Sequence, residues 1–591
     1  MSENRARDSR DFSRRSFLKG TAAGAVAVSM GTASSFAWMA PAAAEPAPMP
    51  PHGGELRGLD LVIESPTTEG RFGFMFKDLE PHRPEDALLR ELGDAMMEQP
   101  KTTTTTDSAG NTVLVTAEND KFNENPSRLL TSGFTFVGQF VDHDITFDHT
   151  PIDQQQSDPD ATTNFRTPRY DLDAIYGRGP TSDPDLYDSS DRDKFKIEKR
   201  TATHIRTDQL KVDGVNEVVY DVKRSAGKAI IADPRNDQTI IISQMHVAMQ
   251  MFHNKLVDYM RALRVPRASV FESARRLARW HYQWMVTHEF LPAIVGEATA
   301  KSVYEEIPTG APKIDIQFYK PTNSTARPFI PVEFSVAAYR FGHSITRPRY
   351  TVRDYVKSDG KTVTVSSVPL FEATATDNNL NGSREVPARL KLQWSKFFNF
   401  PGVTPLTARP VRQFDASLSD ALFRMPSTAL PDKVSDENML SVRNLLRGSV
   451  VGLPSGQQVA RQMGVTPLTN DELSKNHRIE IEWPIVGNQV KAKTRFIEDN
   501  PKLTEALAKP EFGGEAPLWF YILKEAEILG EGETLGPVGG RIVAEVLVGL
   551  LQHDKNSYLT LQPTWKPSSP VTPVRGRFTM ADLLKYAGVW N

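Results

Sequence analysis

The run Gly138-Gln139-Phe140-Val141-Asp142-His143-Asp144 sets an amide, an imidazole and two carboxylates almost side by side. On a helix, residues four apart share a face, so Gln139 and His143 point together while Asp144 is rotated about 100° away. One helix can then serve two sites. A neutral imidazole takes a proton and returns it near neutral pH, and a neighbouring amide can hold a water or a peroxide. Further on, Ile231-Ala232-Asp233-Pro234-Arg235-Asn236-Asp237 opens a long helical pattern. A fixed guanidinium there would stabilise negative charge developing on a nearby oxygen where water is excluded. Taken singly, the first run is equally a solvated helix end, and Arg235 is more often a surface ion-pair partner.

Thr167-Pro168-Arg169-Tyr170-Asp171-Leu172-Asp173 offers oxygen at alternate positions. Calcium takes hard oxygens from carboxylates, hydroxyls and main-chain carbonyls, which this loop can supply with Asp144 closing the shell. A solvated acidic turn reads the same way. Ala338-Tyr339-Arg340-Phe341-Gly342-His343 ends a helical pattern begun near Val332, and Arg443-Asn444-Leu445-Leu446-Arg447-Gly448 lies downstream.

In this order the segments resemble the animal-type haem peroxidases of the peroxidase-cyclooxygenase superfamily, whose distal helix reads Gly-Gln, two apolar or aromatic residues, then Asp-His-Asp. The resemblance spans Arg128 to Gly456. It implies that His143 is the distal base, Gln139 its pocket partner and Arg235 the distal arginine. Asp142 would be a site for an ester link to a haem methyl. Asp144 would bind calcium with the side chains of Thr167, Asp171 and Asp173 and the carbonyl of Arg169. Many relatives have serine where Asp173 stands, so this chain carries an added negative charge. A haem iron needs an axial ligand, and with no cysteine in the chain a histidine is the available donor. His343 matches the family's proximal histidine, with Arg340 and Arg447 approaching haem propionates. Asn444 would accept the proximal imidazole N–H, which makes that ligand more electron-rich.

The chain also departs from its mammalian relatives. Three residues after the distal arginine they carry a glutamate that esterifies the haem, and one has a methionine beside it; here stand Gln238 and Thr239. Neither can form those bonds, which leaves at most the Asp142 ester and argues against efficient chloride oxidation.

The resemblance thus implies a haem b enzyme with Ca2+ that reduces hydrogen peroxide through a ferryl intermediate. It would oxidise small phenols, halides or thiocyanate, a chemistry suited to a response to oxidative stress. Two other readings stand beside it. A fatty-acid dioxygenase of the same superfamily places a tyrosine three residues before the proximal histidine; here that position is Arg340, and Tyr339 lies one residue earlier. A non-catalytic module that has lost haem would be expected to lose one of the two histidines, and both are present.

Positioning these groups falls to helices. Apolar residues at helical spacing predict helices over Pro84–Gln99, Leu129–His143, Asp237–Leu263, Ser269–Phe290, Val332–His343, Glu437–Ser449, Pro517–Leu529 and Arg541–His553. His246, His253, His281 and His288 fall on such runs and read as core or interface residues. Strand alternation is confined to pieces such as Thr112–Thr116 and Lys361–Val368, while Thr102–Thr106 and the Asp-rich tract Asp158–Asp193 read as exposed loops. Gly536 to Gly540 reads as a turn before a helix. The expected fold is mainly α, a single large helical haem-peroxidase domain over 76–591 with few short peripheral β-hairpins.

The 591 residues are 39% hydrophobic and 24% charged, with a formal net charge of −3, which gives no reason to expect nucleic acid as a partner. Absent cysteine excludes disulfides, thiol nucleophiles and iron–sulfur clusters. Ser13-Arg14-Arg15-Ser16-Phe17-Leu18-Lys19, a weakly apolar Ala- and Gly-rich run, and Ala42-Ala43-Ala44 resemble a twin-arginine export signal over 1–44 with its cleavage site. That route carries folded proteins, so the export machinery is an expected partner and the periplasm or exterior the destination. Residues 45–75, opening on a Pro-rich stretch, read as an extension or linker. No stable membrane span is expected in the mature form.

Overall fold

A computed structural model of the chain describes residues 72–97 and, with interruptions, 102–590; the longer interruptions are 107–111, 117–125, 148–163, 322–327, 357–361, 424–438 and 481–493. The leader and its Pro-rich stretch lie outside the described residues.

Helices carry the fold, and local chemistry sets their ends. Helix α1 (Asp86–Ala95) buries Leu88, Leu89 and Leu92 along one stripe. Helix α2 (Gly133–Ile145) starts later than Leu129 because Pro126–Thr131 is extended and pairs antiparallel with Pro410–Arg412. Helix α3 (Ile240–Ala262) likewise starts after Asp237. The Asp233 side chain accepts the Arg235 N–H and closes a single 3₁₀ turn over Pro234–Asp237; Thr239 then caps α3 by accepting the Ile242 N–H. Helix α4 (Val270–Met285) runs on as a π-turn over Val286–Phe290.

Val332–His343 is not one α-helix, as its spacing predicts. It forms a π-turn over Glu333–Ala337 and then a 3₁₀ turn over Ala338–His343, a re-aiming of successive side chains of the kind that recurs at functional sites. Helices α5 (Leu440–Val450), α6 (Leu518–Ile528) and α7 (Pro537–His553) complete the frame, with Gly536 in the turn that opens α7. The 338–343 turn touches α2, α6 and α7, and α5 packs on the 333–337 turn.

Among the described residues the strands form two-stranded pieces. Thr102–Thr106, expected as a loop, pairs with Thr112–Thr116. Two longer hairpins, Ile197–Arg206 with Lys211–Val222 and Lys475–Glu480 with Thr494–Asp499, were not evident from alternation. Charged residues break their apolar rhythm. Of the expected piece over Lys361–Val368, Thr362–Val365 pairs with Arg353–Val356.

Long-range clasps join distant parts of the chain. Phe72–Gly73 pairs parallel with Ile330–Pro331, and Glu333 accepts the N–H groups of Met75 and Phe76 at 2.9 and 3.0 Å. The folded body therefore reaches back to Phe72, inside the stretch expected as a linker. Glu533 accepts Ser127 Oγ at 2.7 Å and Arg128 Nε at 2.8 Å. His246, His253 and His281 are buried in α3 and α4; His253 bonds Tyr176 Oη and the Asp193 carbonyl, each at 2.9 Å. Among the described residues no helix is long and apolar enough to cross a membrane.

Candidate functional site

One cavity of about 270 Å³ collects the expected haem-pocket residues. Helix α2 supplies Gln139, Asp142 and His143, and the 3₁₀ turn before α3 supplies Arg235. Arg340 and His343 enter from the 338–343 turn, Asn444 and Arg447 from α5.

His143 is buried, and its Nδ1 lies 2.8 Å from Asn236 Oδ1. Burial, with Arg235 adding to it, pushes the imidazole down to about 3, so the ring is neutral at physiological pH. Arg235 is held on several sides. Its N–H and Nε donate to Asp233 Oδ1 at 2.9 and 3.1 Å, and its Nη2 donates to Asp233 Oδ2 at 2.8 Å and to the His143 carbonyl at 2.9 Å. The guanidinium also lies over the Phe147 ring, 4.3 Å from its centre. Burial alone would raise the Asp233 carboxyl, but Arg235 and Arg166 hold it far below the usual range.

Asp142 accepts Thr146 Oγ1 at 2.8 Å, and burial raises its carboxyl. Gln238 and Thr239 also line the cavity, so an amide and a helix-capping hydroxyl stand there.

His343 is pushed down to about 3, by burial first and then by Arg340. Its Nδ1 lies 2.8 Å from Asn444 Nδ2, while Asn444 Oδ1 accepts from Arg340. The carboxamide is thus turned opposite to the expected orientation, because a guanidinium can only donate and claims the oxygen. Arg340 also donates to the Ser335 carbonyl at 3.1 Å.

The walls fit a flat apolar ring with anionic arms. Phe147, Phe341, Leu370 and Phe371 supply apolar surface, and Arg340, Arg443 and Arg447 supply cations. Two neutral imidazoles within the same cavity complete a donor set suited to a haem.

The acidic loop makes a second, separate cluster. Carboxylate oxygens of Asp144, Asp171 and Asp173 lie within 4.8 Å of one another. Asp144 Oδ1 and Asp173 Oδ1 are buried without a hydrogen-bond partner, and Thr167 Oγ1 donates to Asp171 Oδ2 at 2.9 Å. Burial followed by Asp173 and Asp171 drives the Asp144 carboxyl well up, the state of acids gathered for a cation. Arg169 lies in the same loop, where its N–H donates to the Thr167 carbonyl at 2.8 Å.

Sequence reasoning missed Asn236, Arg166 and Asn164. Asn236 directly follows Arg235, the one signal that could have marked it. Asn164 accepts the Phe147 N–H at 2.7 Å and donates to the Ile145 carbonyl at 2.9 Å, fixing the chain beyond α2; nothing local distinguishes it.

Comparison with known proteins agrees with this geometry. Residues 150–480 match the family model of the animal haem peroxidases, more than half of the chain, so the chain belongs to that family. The matched segment contains Arg235, His343, Asn444 and the acidic loop, and begins just after α2. Chorion peroxidase of Drosophila melanogaster is 25% identical over 338 residues, 56% of this chain and 35% of that protein. A peroxidase-like protein of Margaritifera margaritifera is 30% identical over 260 residues, 42% of this chain and 30% of its own length. The aligned region is thus about a third of each relative. Among solved structures, peroxidase A of Dictyostelium discoideum shares the fold at a TM-score of 0.51 and 14% identity, covering 89% of this chain and 92% of that one. Fatty acid alpha-dioxygenase of Oryza sativa does so at 0.51 and 10% identity, covering 90% and 86%. Residues 11–31 match the twin-arginine translocation signal, which addresses the chain to the periplasm or beyond.

Proposed function

We propose that the chain is an exported haem peroxidase that reduces hydrogen peroxide and oxidises small phenols, bromide or thiocyanate. The observation that carries this reading is that His143, Arg235 and His343 line one cavity, with both imidazoles neutral. Bound haem would supply the redox centre, with His343 as its protein ligand.

The chain's own groups then have distinct work. His143 keeps a bare Nε2 toward the cavity, because Asn236 Oδ1 can only accept and so retains the ring proton on Nδ1. Nε2 could take a proton from one peroxide oxygen and return it to the other, which could then leave as water with the two electrons that bound haem would supply. Arg235, clamped by Asp233, offers a preorganised positive charge to the departing oxygen and spends no free energy on reorientation as that charge develops. Gln139, one turn before His143, orients the incoming peroxide. Asp144, Thr167, Arg169, Asp171 and Asp173 would hold Ca2+ as a structural ion beside the distal helix. With Gln238 in the wall, Asp142 is the one carboxylate assigned an ester link.

The dioxygenase reading fits less well. Tyr339 lies four residues before His343, and its hydroxyl donates to the Gly138 carbonyl at 3.3 Å.

The test is steady-state oxidation of bromide, thiocyanate and a phenol by haem-loaded protein beside a His143→Ala variant. Each activity should fall at least a hundredfold, about the share of a general base. Unchanged turnover of all three would end the proposal.

A further inference from the structure

Arg166 directly precedes the acidic loop, and its side chain is fully buried. Its Nη2 and Nε donate to Asp233 Oδ2 at 2.6 and 3.1 Å. Its Nη1 faces the other way, 3.6 Å from Asp173 Oδ1, and makes no hydrogen bond; Asp173 Oδ1 makes none either. One guanidinium therefore bridges two carboxylates that serve different sites. Asp173 belongs to the candidate cation cluster, and Asp233 is the clamp on Arg235.

We infer that Arg166 is a positioning residue through which a cation in the Asp144–Asp171–Asp173 cluster governs the aim of Arg235. The inference rests on the reading of that cluster as a cation site and of Arg235 as the group facing peroxide. Without a cation, the clustered carboxylates compete with Asp233 for Arg166, whose Nη1 lies 3.6 Å from Asp173 Oδ1. A divalent cation cancels most of that pull, and Arg166 settles on Asp233. Within so buried a network the attraction between unit charges at these distances is several-fold stronger than in water, so the shift is felt. Asp233 then has less freedom to move, and Arg235, which donates three of its hydrogen bonds to that carboxylate, is held more tightly.

The pairing also gives a physical reason for two features at once. Asp173 adds a negative charge to the cluster, and Arg166 is the buried positive charge beside it. A second, shorter route to the distal side runs through Asp144, whose neighbour on α2 is His143; it ends on the imidazole rather than on the guanidinium. The two routes are separable by mutation.

Fluoride is the probe, since as a small anion on ferric haem it accepts hydrogen bonds from a guanidinium and shifts the absorption spectrum. Its dissociation constant is measured with saturating calcium and after chelation, and calcium binding to the haem-free protein is measured by calorimetry. In the wild type, calcium should tighten fluoride about fivefold or more. In Arg166→Met, calcium should still bind the haem-free protein, but fluoride affinity should no longer depend on it. Arg166→Lys, which restores charge without the fork, should recover part of the dependence. If Arg166→Met does not fold, Asp173→Ser breaks the other end of the bridge and should likewise lose the dependence at saturating calcium. Full coupling retained in Arg166→Met or in Asp173→Ser overturns the inference, as does a wild type that binds calcium without any effect on fluoride. A wild type that binds no calcium fails earlier and overturns the cation-site reading on which the inference stands.

Discussion

His143 Nδ1 and Asn236 Oδ1 lie 2.8 Å apart, and this contact decides which face of the imidazole is basic. An amide oxygen cannot donate, so the ring proton stays on Nδ1 and Nε2 is left to the cavity. Asn236→Val should free the ring to take the other tautomer. Stopped-flow reaction with peroxide is expected to slow by about tenfold to a hundredfold, with haem content unchanged. Asn236→Asp, which keeps an acceptor in place, should recover most of the rate.

Arg340, Asn444 and His343 form a chain in which the amide nitrogen faces the imidazole. A neutral imidazole that gives its Nε2 lone pair to iron carries its proton on Nδ1 and needs an acceptor there. Haem binding should therefore turn the amide and release Arg340 from it. Asn444→Leu removes either arrangement. The iron–histidine stretch of the ferrous protein, read by resonance Raman, should move to lower frequency, and peroxide turnover should drop about tenfold to a hundredfold.

The orphaned oxygens of Asp144 and Asp173 predict that a bound cation adds to stability. Chelation should lower the thermal midpoint and calcium should restore it. At several hundred-fold excess over its dissociation constant the ion contributes about 3 kcal/mol, as it binds only the folded chain. Asp171→Asn should erase most of the response, whereas Thr102→Ala, far along the chain from the loop, should leave it intact.

Glu525 accepts the N–H groups of Val538 and Gly539 at the start of α7, and burial pushes its carboxyl up to about 7. The folded state therefore holds a proton that the unfolded state, titrating near 4.5, releases earlier. Stability from this group is full below about pH 4.5 and is lost as pH rises toward 7. Glu525→Gln should match the wild type at pH 4.5 and exceed it above pH 7, by up to about 3 kcal/mol. Parallel denaturation curves across that range would expose the opposite trend if burial were not the cause.

Tyr339 is engaged with the Gly138 carbonyl rather than offered as a radical site. Tyr339→Phe should leave phenol oxidation within about twofold, a change below 0.5 kcal/mol in barrier. Oxygen uptake with linoleate should be absent in both proteins; uptake in the wild type that vanishes in the variant would favour the dioxygenase chemistry.

The groups that line the cavity were legible because each sits in a short run with a recognisable order, and the eight expected helices each correspond to helical structure. Their limits were less legible. Pro126–Thr131 carries enough apolar residues to extend α2 on paper, yet Glu533, some four hundred residues away, holds it extended. The hairpin over Ile197–Val222 hides behind charged residues whose strand pairing is a tertiary outcome. Arg166 and Asn164 escaped for the same reason. A buried polar group declares its purpose through partners brought by folding, and neither residue has a local pattern.

Phe72 lines the cavity and is zipped to Ile330, and Glu333 grips the backbone of Met75 and Phe76 across 258 and 257 positions. A ribosome must therefore deliver more than half of the polypeptide before the first wall of the pocket can dock, and nearly all of it before Glu533 secures the strand ahead of α2. Contacts that close over such sequence separations form late in folding. A leader read by a translocase that accepts finished proteins has to wait for the last stretch of synthesis.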